Sequence, residues 1–436
     1  MTMMRQFIPE TVSRLSDPAG TAPLTDAHRA RAQLFDRYWS YYRGNQRRHL
    51  RISPGQPDDN VTVNWSRKIV NAGVQFLFGK GVRFDLDDSA DRSPAESYLD
   101  SIWTDNPARR WSVAQFLQGV GQNGGICGTA VVRLYPPHDE AERPILRNID
   151  PAIVDIVTNP DDTDEVTGYH LVWTSGGVWK RHRIERDAAL WIIREEERRE
   201  GRWAVTAETA WEYDFAPVFH CHNLILANSV WGASDLEDAD LNDAVNFTNS
   251  NINRILKFHA HPRTIGIGFN SQQLSKTAVD GFWTIANETA RVFNLEMQSD
   301  LNSSRQHRAD LEEAFHQVTD VPRLDPAQVN LGALSGFALR ILYGPLLAKT
   351  AVKQQTYGAM LQQINRALLI LAGHDDAPVI NRWPEPLPSS RLEQAQLLQA
   401  LVAAGASLEG AAKVAGYDDS QIEDMVNLSI ATFEER

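Results

Sequence analysis

The chain has 436 residues and a formal net charge of −13, with 43 Lys and Arg against 56 Asp and Glu. Its length predicts about two to four domains, and a mean hydropathy of −0.37 without a long apolar run argues against a transmembrane helix. The negative charge argues against tight nucleic-acid binding as the main task, because that affinity comes from Lys and Arg that neutralise phosphates; it permits a protein that lets DNA pass without holding it.

The N-terminal residues 1–24 are polar, contain Pro and Gly and lack the apolar segment of a secretory signal, which predicts a loose arm. A helix rich in aromatic residues is predicted from Thr25 to Arg43. Seven arginines lie from Arg29 to Arg51 against one acid, Asp36. Such a stretch can stack on nucleic acid, but we favour a helix that packs its rings and presents its arginines to solvent or to a neighbouring subunit. Both roles stay open for Arg47, Arg48 and Arg51.

The next predicted elements are a buried helix that ends at Gly79, a strand at Val82–Leu86, helices at Ala95–Trp103 and Trp111–Gly121, and a strand at Ile126–Tyr135. Two glycine-rich stretches lie among them. Gly79-Lys80-Gly81 lacks the upstream glycine and the following Ser or Thr of a P-loop. Gly119–Gly124 matches G-x-G-x-x-G, but dinucleotide binding requires a strand before the motif and a helix after it. We therefore predict a helix C-terminal turn there and no nucleotide site.

An antiparallel meander is predicted from Ile145 to Cys221, because strand-like runs alternate with turns at Asn159-Pro160, Gly176-Gly177 and Gly201. The mixed charges of Arg194–Arg202 are typical of a solvated hairpin. The sequence holds two cysteines, too few for a disulfide framework, which fits a reducing cytoplasm.

Two histidine pairs are the clusters most typical of metal ligands. His220 and His222 would share one face of a strand, so a zinc pair is conceivable, and His259 and His261 form the second pair. No carboxylate or second cysteine lies at ligand spacing, which favours structural histidines. The sequence also lacks G-x-S-x-G, S-x-x-K and Cys–His nucleophile arrangements. We therefore expect no enzyme, metal or cofactor, with a hydrolase whose site lies unrecognised in the meander as the alternative.

Two long helical segments organise the chain, Ser234–His261 and Leu301–Leu371. The first begins with an S-x-x-E capping box formed by Ser234 and Glu237. Its apolar residues recur at three- and four-residue spacing, and its acidic start and basic end suit the helix dipole. The second segment is interrupted at Val321–Gly336. A long helix with a narrow apolar stripe must pack that stripe against other helices or other subunits.

Three further features complete the sequence. Gly344-Pro345 predicts a kink in the second long segment. Strands at Thr264–Phe269 and Arg291–Met297 are predicted around a helix at Gln272–Val279. Prolines after Leu371 predict an extended linker, and the last 46 residues predict an acidic bundle with helices at Arg391–Ala404, Leu408–Ala415 and Ser420–Phe433.

Several stretches carry a family resemblance through their order along the chain: Arg37–Gly44 (RYWSYYRG), Lys68–Phe84, Gly125–Tyr135, Ala216–Asn223, Gly232–Ile255 and Leu331–Ile364. Together they resemble the portal proteins of tailed bacteriophages of the siphovirus type, and the last is similar to the S-G-x-A-L helix of that family. The resemblance covers nearly the whole chain. Two of the parts that the resemblance implies, the clip at 262–300 and the crown at 391–436, are short and small, respectively. Partner-binding residues of those parts are therefore not carried over from the family.

The resemblance implies an α+β multidomain portal fold with an α/β wing, long stem helices, a small α/β clip, a tunnel loop with a kinked helix, and a C-terminal helical crown. The implied parts are the wing (1–233 and 336–390), the stem helices (234–261 and 301–319), the clip (262–300), the tunnel loop (320–335) and the crown (391–436).

The resemblance also implies a ring, usually of twelve subunits, at one capsid vertex of the virion, assembled in the host cytoplasm without a membrane. Double-stranded viral DNA would pass through its channel during packaging and ejection. The implied partners are terminase, head–tail connector or adaptor proteins, and the major capsid and scaffolding proteins. Another ring-forming head–tail adaptor is an alternative within the virion.

The tunnel loop has few charges and several apolar residues, which suits a loop that touches DNA without gripping it; a plain inter-helix loop is the alternative. On this basis we predict that the DNA-facing residues are Gln328, Val329, Asn330, Leu331 and Leu334. The predicted stem residues are Asp235, Glu237, Asp238, Asn253 and Lys257.

Overall fold

The computed structural model describes residues 23–52, 54–55, 58–86, 94–104, 112–137, 143–188, 190–260, 263–268, 289, 291–295, 301–323, 336–374, 378–387, 391–417, 421–422 and 425. Helices and sheets alternate in these residues, which confirms the mixed α and β class. No helix in the described part of the chain is long and apolar enough to span a membrane.

The N-terminal region is mainly helical. Its elements are α1 (Asp26–Arg43), α2 (Trp65–Phe78), β1 (Arg83–Leu86), α3 (Pro94–Trp103) and α4 (Val113–Cys127). The Thr25 side chain caps α1 and the Asn64 side chain caps α2, as side chains that accept hydrogen bonds from the first free N–H groups do. The prediction of a turn at Gly119–Gly124 was wrong, because α4 continues through these glycines to Cys127.

Two antiparallel sheets follow. The first has the order β3-β2-β9 and the second the order β4-β5-β6-β7-β8. Their strands are β2 (Thr129–Tyr135), β3 (Ile145–Ile149), β4 (Val154–Thr158), β5 (Val166–Ser175), β6 (Val178–Asp187), β7 (Leu190–Arg199), β8 (Arg202–Trp211) and β9 (Val218–His222). The predicted meander is confirmed from β4 to β8, but β3 pairs with β2 in the other sheet. The run Arg194–Arg202 is not wholly solvated, because Glu196 is buried against Arg181.

Strand β2 separates two apolar cores. Side chains on a strand alternate between its faces. Val132 and Leu134 therefore join the core made with α3, α4 and the long helix at Gly344–Leu371, whereas Val131 joins the core of the five-stranded sheet. The chain changes sheets after β3 through a short 3-10 turn at Pro151–Ile153.

The long helices form the C-terminal half. They are α5 (Ala239–Ala260), α6 (Leu301–Thr319), α7 (Gly336–Leu342) and α8 (Gly344–Leu371). The break between α7 and α8 confirms the predicted kink, with Pro345 in the first turn of α8. Between α5 and α6, strands β10 (Arg263–Ile267) and β11 (Arg291–Leu295) pair antiparallel.

The predicted linker after α8 contains a strand that the sequence did not reveal. This strand, β12 (Val379–Arg382), pairs antiparallel with β1. Helices α9 (Arg391–Ala403) and α10 (Leu408–Ala415) follow and confirm two of the predicted C-terminal helices. The predicted helix at Gln272–Val279, residues 1–22 and most of Ser420–Phe433 lie outside the described residues.

Candidate functional site

The turn before α5 is held against the end of α4. The Ser234 hydroxyl donates to the carbonyl oxygen of Ile126 at 2.6 Å and accepts from the N–H of Leu236 at 3.0 Å. The N–H of Asp235 donates to the carbonyl oxygen of Gly125 at 2.9 Å. The predicted capping box at Ser234 was therefore wrong: its hydroxyl binds α4, and α5 begins at Ala239.

Asp235 is the centre of a buried charge cluster with two lysines of α8. Its carboxylate accepts from Nζ of Lys353 at 2.6 Å and lies 3.2 Å from Nζ of Lys349. Burial alone raises the pKa of Asp235, but the two ammonium groups outweigh this effect, so its pKa lies below the ordinary value. Burial lowers the pKa of Lys353 despite the attraction of Asp235. The cluster fixes the start of α5 to the middle of α8.

The same cluster reaches the end of α6. Nζ of Lys349 lies 3.5 Å from the carbonyl oxygen of Thr319, the last residue of α6. Within the last turn of α6, the Nδ1 atom of His316 donates to the carbonyl oxygen of Val321, which follows the helix, at 2.8 Å. Burial is the main cause that lowers the pKa of His316. Thr319 and Val321, which precede 324–335 in the chain, are thus held by α8 and by α6 itself.

Small residues allow the helices to approach this cluster. A Cβ atom added at Gly124 would lie 1.8 Å from the Tyr357 hydroxyl, and one added at Gly125 would lie 3.0 Å from Oδ2 of Asp235. Gly73 of α2 faces the Nζ atom of Lys353 in the same way, at 3.0 Å. Gly124, the last glycine of the stretch that resembled a nucleotide motif, therefore serves helix packing.

A second polar seam joins α5 to the chain before α2. Oδ1 of Asn242 accepts from the N–H groups of Trp65 and Ser66 at 3.0 and 3.1 Å, and its Nδ2 donates to the carbonyl oxygen of Val63 at 2.9 Å. Asn246 accepts from the N–H of Val63 at 2.8 Å. A side chain of α5 thus helps to cap α2, which no local pattern in the sequence indicates.

The structure separates the predicted stem residues into three places. Asp235 lies in the buried cluster, whereas Glu237 and Asp238 are exposed at the edge of an open cavity of about 500 Å³ between the turn before α5, the end of α6 and α8. Near the other end of α5, Asn253 donates to the carbonyl oxygen of Asp59 at 3.2 Å and Lys257 pairs with the Asp59 carboxylate at 2.9 Å. The predicted tunnel residues Gln328, Val329, Asn330, Leu331 and Leu334 lie outside the described residues.

The first histidine pair has structural partners. His220 bonds the Tyr169 hydroxyl through Nδ1 at 2.9 Å, and His222 donates from Nε2 to the carbonyl oxygen of Val230 at 3.0 Å. Burial lowers the pKa of His220 to about 4. Within the described residues, no three His, Cys, Asp or Glu side chains form a group able to hold a metal ion. His261 of the second pair lies outside the described residues.

Comparison with known families gives a match over most of the chain. The family described as phage portal protein, SPP1 Gp6-like, matches residues 22–188 and 212–426. No curated protein sequence matches the chain.

Solved structures of gene transfer agent particles are similar to the chain. The neck of the empty particle, computed with C6 symmetry, has a TM-score of 0.48 at 16% identity and covers 81% of this chain and 90% of that chain. The neck of the native particle, computed with C12 symmetry, has a TM-score of 0.45 at 14% identity, covering 81% and 89%. The native virion has a TM-score of 0.47 at 15% identity, again covering 81% and 89%. These identities are too low to transfer the role of any residue.

Proposed function

The chain belongs to the SPP1 Gp6-like family of phage portal proteins, and we propose that it forms a ring of identical subunits, usually twelve in this family, at one capsid vertex. The family match along both halves of the chain is the observation that carries this proposal. Viral DNA would pass through the centre of the ring during packaging and ejection. The ring would serve as a structural conduit and leave ATP hydrolysis to terminase.

Each part of the chain receives a role in this proposal. The stem would comprise α5 and α6, the clip the β10–β11 unit, and the crown α9 and α10. The wing would contain the elements from α1 to β9 together with α7, α8 and β12. The segment 320–335 would be the tunnel loop, since it leaves the end of α6 and precedes the kinked pair α7 and α8.

The buried cluster gives this arrangement a mechanical basis. Asp235 lies at the start of the proposed stem, Thr319 at the end of its second helix, and Lys349 and Lys353 lie on the helix that follows the proposed tunnel loop. A loop that meets moving DNA needs a rigid anchor, and these contacts hold the end of α6, just before the loop, against α8.

Charge is consistent with a conduit. Each subunit contributes a net −13, so the ring as a whole repels the phosphate backbone. We propose that Gln328, Val329, Asn330, Leu331 and Leu334 face the DNA, and that the clip docks terminase first and head–tail connector proteins later. Contacts with scaffolding and major capsid proteins would start procapsid assembly.

The test is the native mass of the purified protein, with negative-stain images of the same sample. We expect rings with a central hole and a mass of about twelve times 48.9 kDa. A second sample with the purified terminase large subunit should show density at one end of the ring. A monodisperse monomer or dimer at all concentrations would overturn the proposal. A ring that does not bind terminase would indicate a head–tail adaptor.

A further inference from the structure

The cavity beside the buried cluster has an acidic and apolar edge. Glu237, Asp238 and Asp320 line it and form no ion pair with any residue that the structure describes. Val318 of α6 also lines it and is 50% exposed. Leu224 lines it as well and is followed in the chain by Ile225, which is 63% exposed. We call this surface the groove.

A second surface on α5 has the opposite character. Phe247 is 44% exposed although most neighbouring residues of the helix are buried or half-buried. The His49 ring lies against it, with 5.5 Å between ring centroids. Arg43 and Arg47 shortly precede His49 in the chain. Both are exposed and make no ion pair with the described carboxylates. We call the set of Phe247, His49, Arg47 and Arg43 the knob.

The knob faces away from α6, whose last residues line the groove. Leu241 packs toward α6, in the cluster that contains Phe315. Phe247 follows six residues later, and at about 100° per residue it projects roughly 120° away from Leu241 around the helix axis. A subunit with two such complementary faces can join copies head to tail, and a rotation that closes produces a ring.

We infer that the knob of one subunit docks in the groove of the next copy around the ring. This inference rests on the proposed function, since it names the contact that closes the ring. Phe247 would cover Val318 and Ile225, and Arg43 and Arg47 would meet Glu237, Asp238 and Asp320. The match in both apolar character and charge favours a second copy as the occupant.

DNA fits these surfaces less well. The carboxylates of the groove repel phosphates, so DNA leaves the groove uncovered. The aromatic rings beside the knob are also occupied within the chain: the Arg43 guanidinium lies 5.4 Å from the centre of the Trp39 ring, and that of Arg67 lies 5.6 Å from the centre of the Tyr42 ring. A second copy uses both faces at once, whereas DNA uses one.

The experiment compares two variants that each lose one face. The knob variant carries Phe247→Ser and Arg47→Ser, and the groove variant carries Glu237→Arg and Val318→Arg, so the two altered faces have no complementary charges. Each is expected to fold but to stay monomeric by mass photometry. Mixed together, they should form a dimer of twice the 48.9 kDa subunit mass and no ring, because one intact knob and one intact groove remain for a single contact.

Controls separate the possible outcomes. The variant Val205→Ser with Arg202→Ser makes the same kind of change on exposed positions of β8 and should form rings. Circular dichroism and thermal unfolding check that each monomeric variant is folded. Rings from either single-face variant, or a mixture that stays monomeric, would overturn the inference. A knob variant that keeps its ring but loses DNA retention would assign the knob to DNA. Failure of the unchanged protein to form rings would instead count against the proposed function.

Discussion

Lys353 and Asp235 form a buried ion pair, with 2.6 Å between Nζ and Oδ2, although 118 residues separate them in the chain. Neither side chain is more than 3% exposed. An isolated charge in such a place costs several kcal/mol, so each residue depends on the other. The pair joins the turn before α5, the first helix of the proposed stem, to α8, the long helix that follows the proposed tunnel loop and α7.

Removal of one partner is therefore expected to be severe. Asp235→Asn should lower the free energy of unfolding by about 3–5 kcal/mol, because it leaves the Lys353 ammonium buried without its carboxylate. Urea unfolding followed by tryptophan fluorescence, at one protein concentration, measures this loss. The matched control is Asp85→Asn, which breaks the exposed pair with Arg382 and should cost about 1 kcal/mol or less.

The double variant Asp235→Asn with Lys353→Met tests the cause. It removes both charges, so it should be more stable than Asp235→Asn alone. Equal losses in the single and double variants would mean that the carboxylate acts through shape or hydrogen bonding and that the ion pair has no separate effect.

The sequence predicted those parts of the fold whose signals are local. The helix predicted at Thr25–Arg43 and the break at Pro345 each depend on neighbours within a few residues. The long helices were predicted for the same reason, apart from the start of α5. There the local signal failed, because the Ser234 hydroxyl binds the end of α4.

The candidate site depended on contacts that no local pattern encodes. Lys353 was visible in the sequence as one residue of a helical stretch, and its partner lies in a turn far upstream. Strand β12 was missed because its partner β1 lies near the other end of the chain. These contacts form only when the helices and strands pack together, so they cannot be read from any one segment of the sequence.

Acid pH should destabilise the protein through buried histidines. Burial lowers the pKa of His220 from 6.5 to about 4, so between these values the unfolded chain binds a proton that the folded chain excludes. The free energy of unfolding therefore falls as the pH drops through this window, by about 3 kcal/mol for this residue. Burial also lowers the pKa values of His28 and His182, which add to the same trend. Protonation of Asp235 lowers the free energy of unfolding at more acidic pH, because the pKa of its carboxyl group in the folded protein lies below the ordinary value.

The variant His220→Gln isolates the contribution of one histidine. Its stability should fall less steeply between pH 6.5 and 4 than that of the unchanged protein, as measured by urea midpoints at several pH values. Tyr169→Phe is the control, because it removes the hydrogen bond to His220 but keeps the histidine, so the slope should stay. Identical slopes for all three proteins would show that His220 titrates alike in the folded and unfolded chains.

Asn242 should be the most sensitive polar residue of α5. It is fully buried and serves two N–H groups at the start of α2. Asn242→Leu leaves the buried N–H and hydroxyl of Ser66 without this acceptor and should cost about 2–4 kcal/mol in urea unfolding. The control on the same helix is Asn253→Leu, which is exposed and should change stability by about 1 kcal/mol or less. Equal effects at both positions would mean that the cap from α5 adds nothing to α2.

Gly124 and Gly119 of α4 are expected to differ in their response to the same substitution. At Gly124 an added Cβ atom would lie 1.8 Å from the buried Tyr357 hydroxyl, so Gly124→Ala must separate α4 from α8 and should cost about 1–3 kcal/mol. At Gly119 the nearest atom is Nδ2 of the Asn148 side chain at 3.2 Å. Gly119→Ala should therefore be close to neutral, since the gain in helix propensity, about 1 kcal/mol, offsets a small shift of that side chain.

The partner variant Tyr357→Phe decides whether steric contact is the cause. It removes the oxygen that meets the new methyl group, so the cost of Gly124→Ala should shrink in the Tyr357→Phe background. It does not vanish, because the ring carbon Cζ would still lie 2.9 Å from the added Cβ atom. Each variant is compared with its own parent by urea unfolding, so the loss of the Tyr357 hydrogen bond to Asn223 cancels. An unchanged cost in both backgrounds would place the effect of Gly124 in the backbone of α4, and the close approach of the two helices would then tolerate a methyl group.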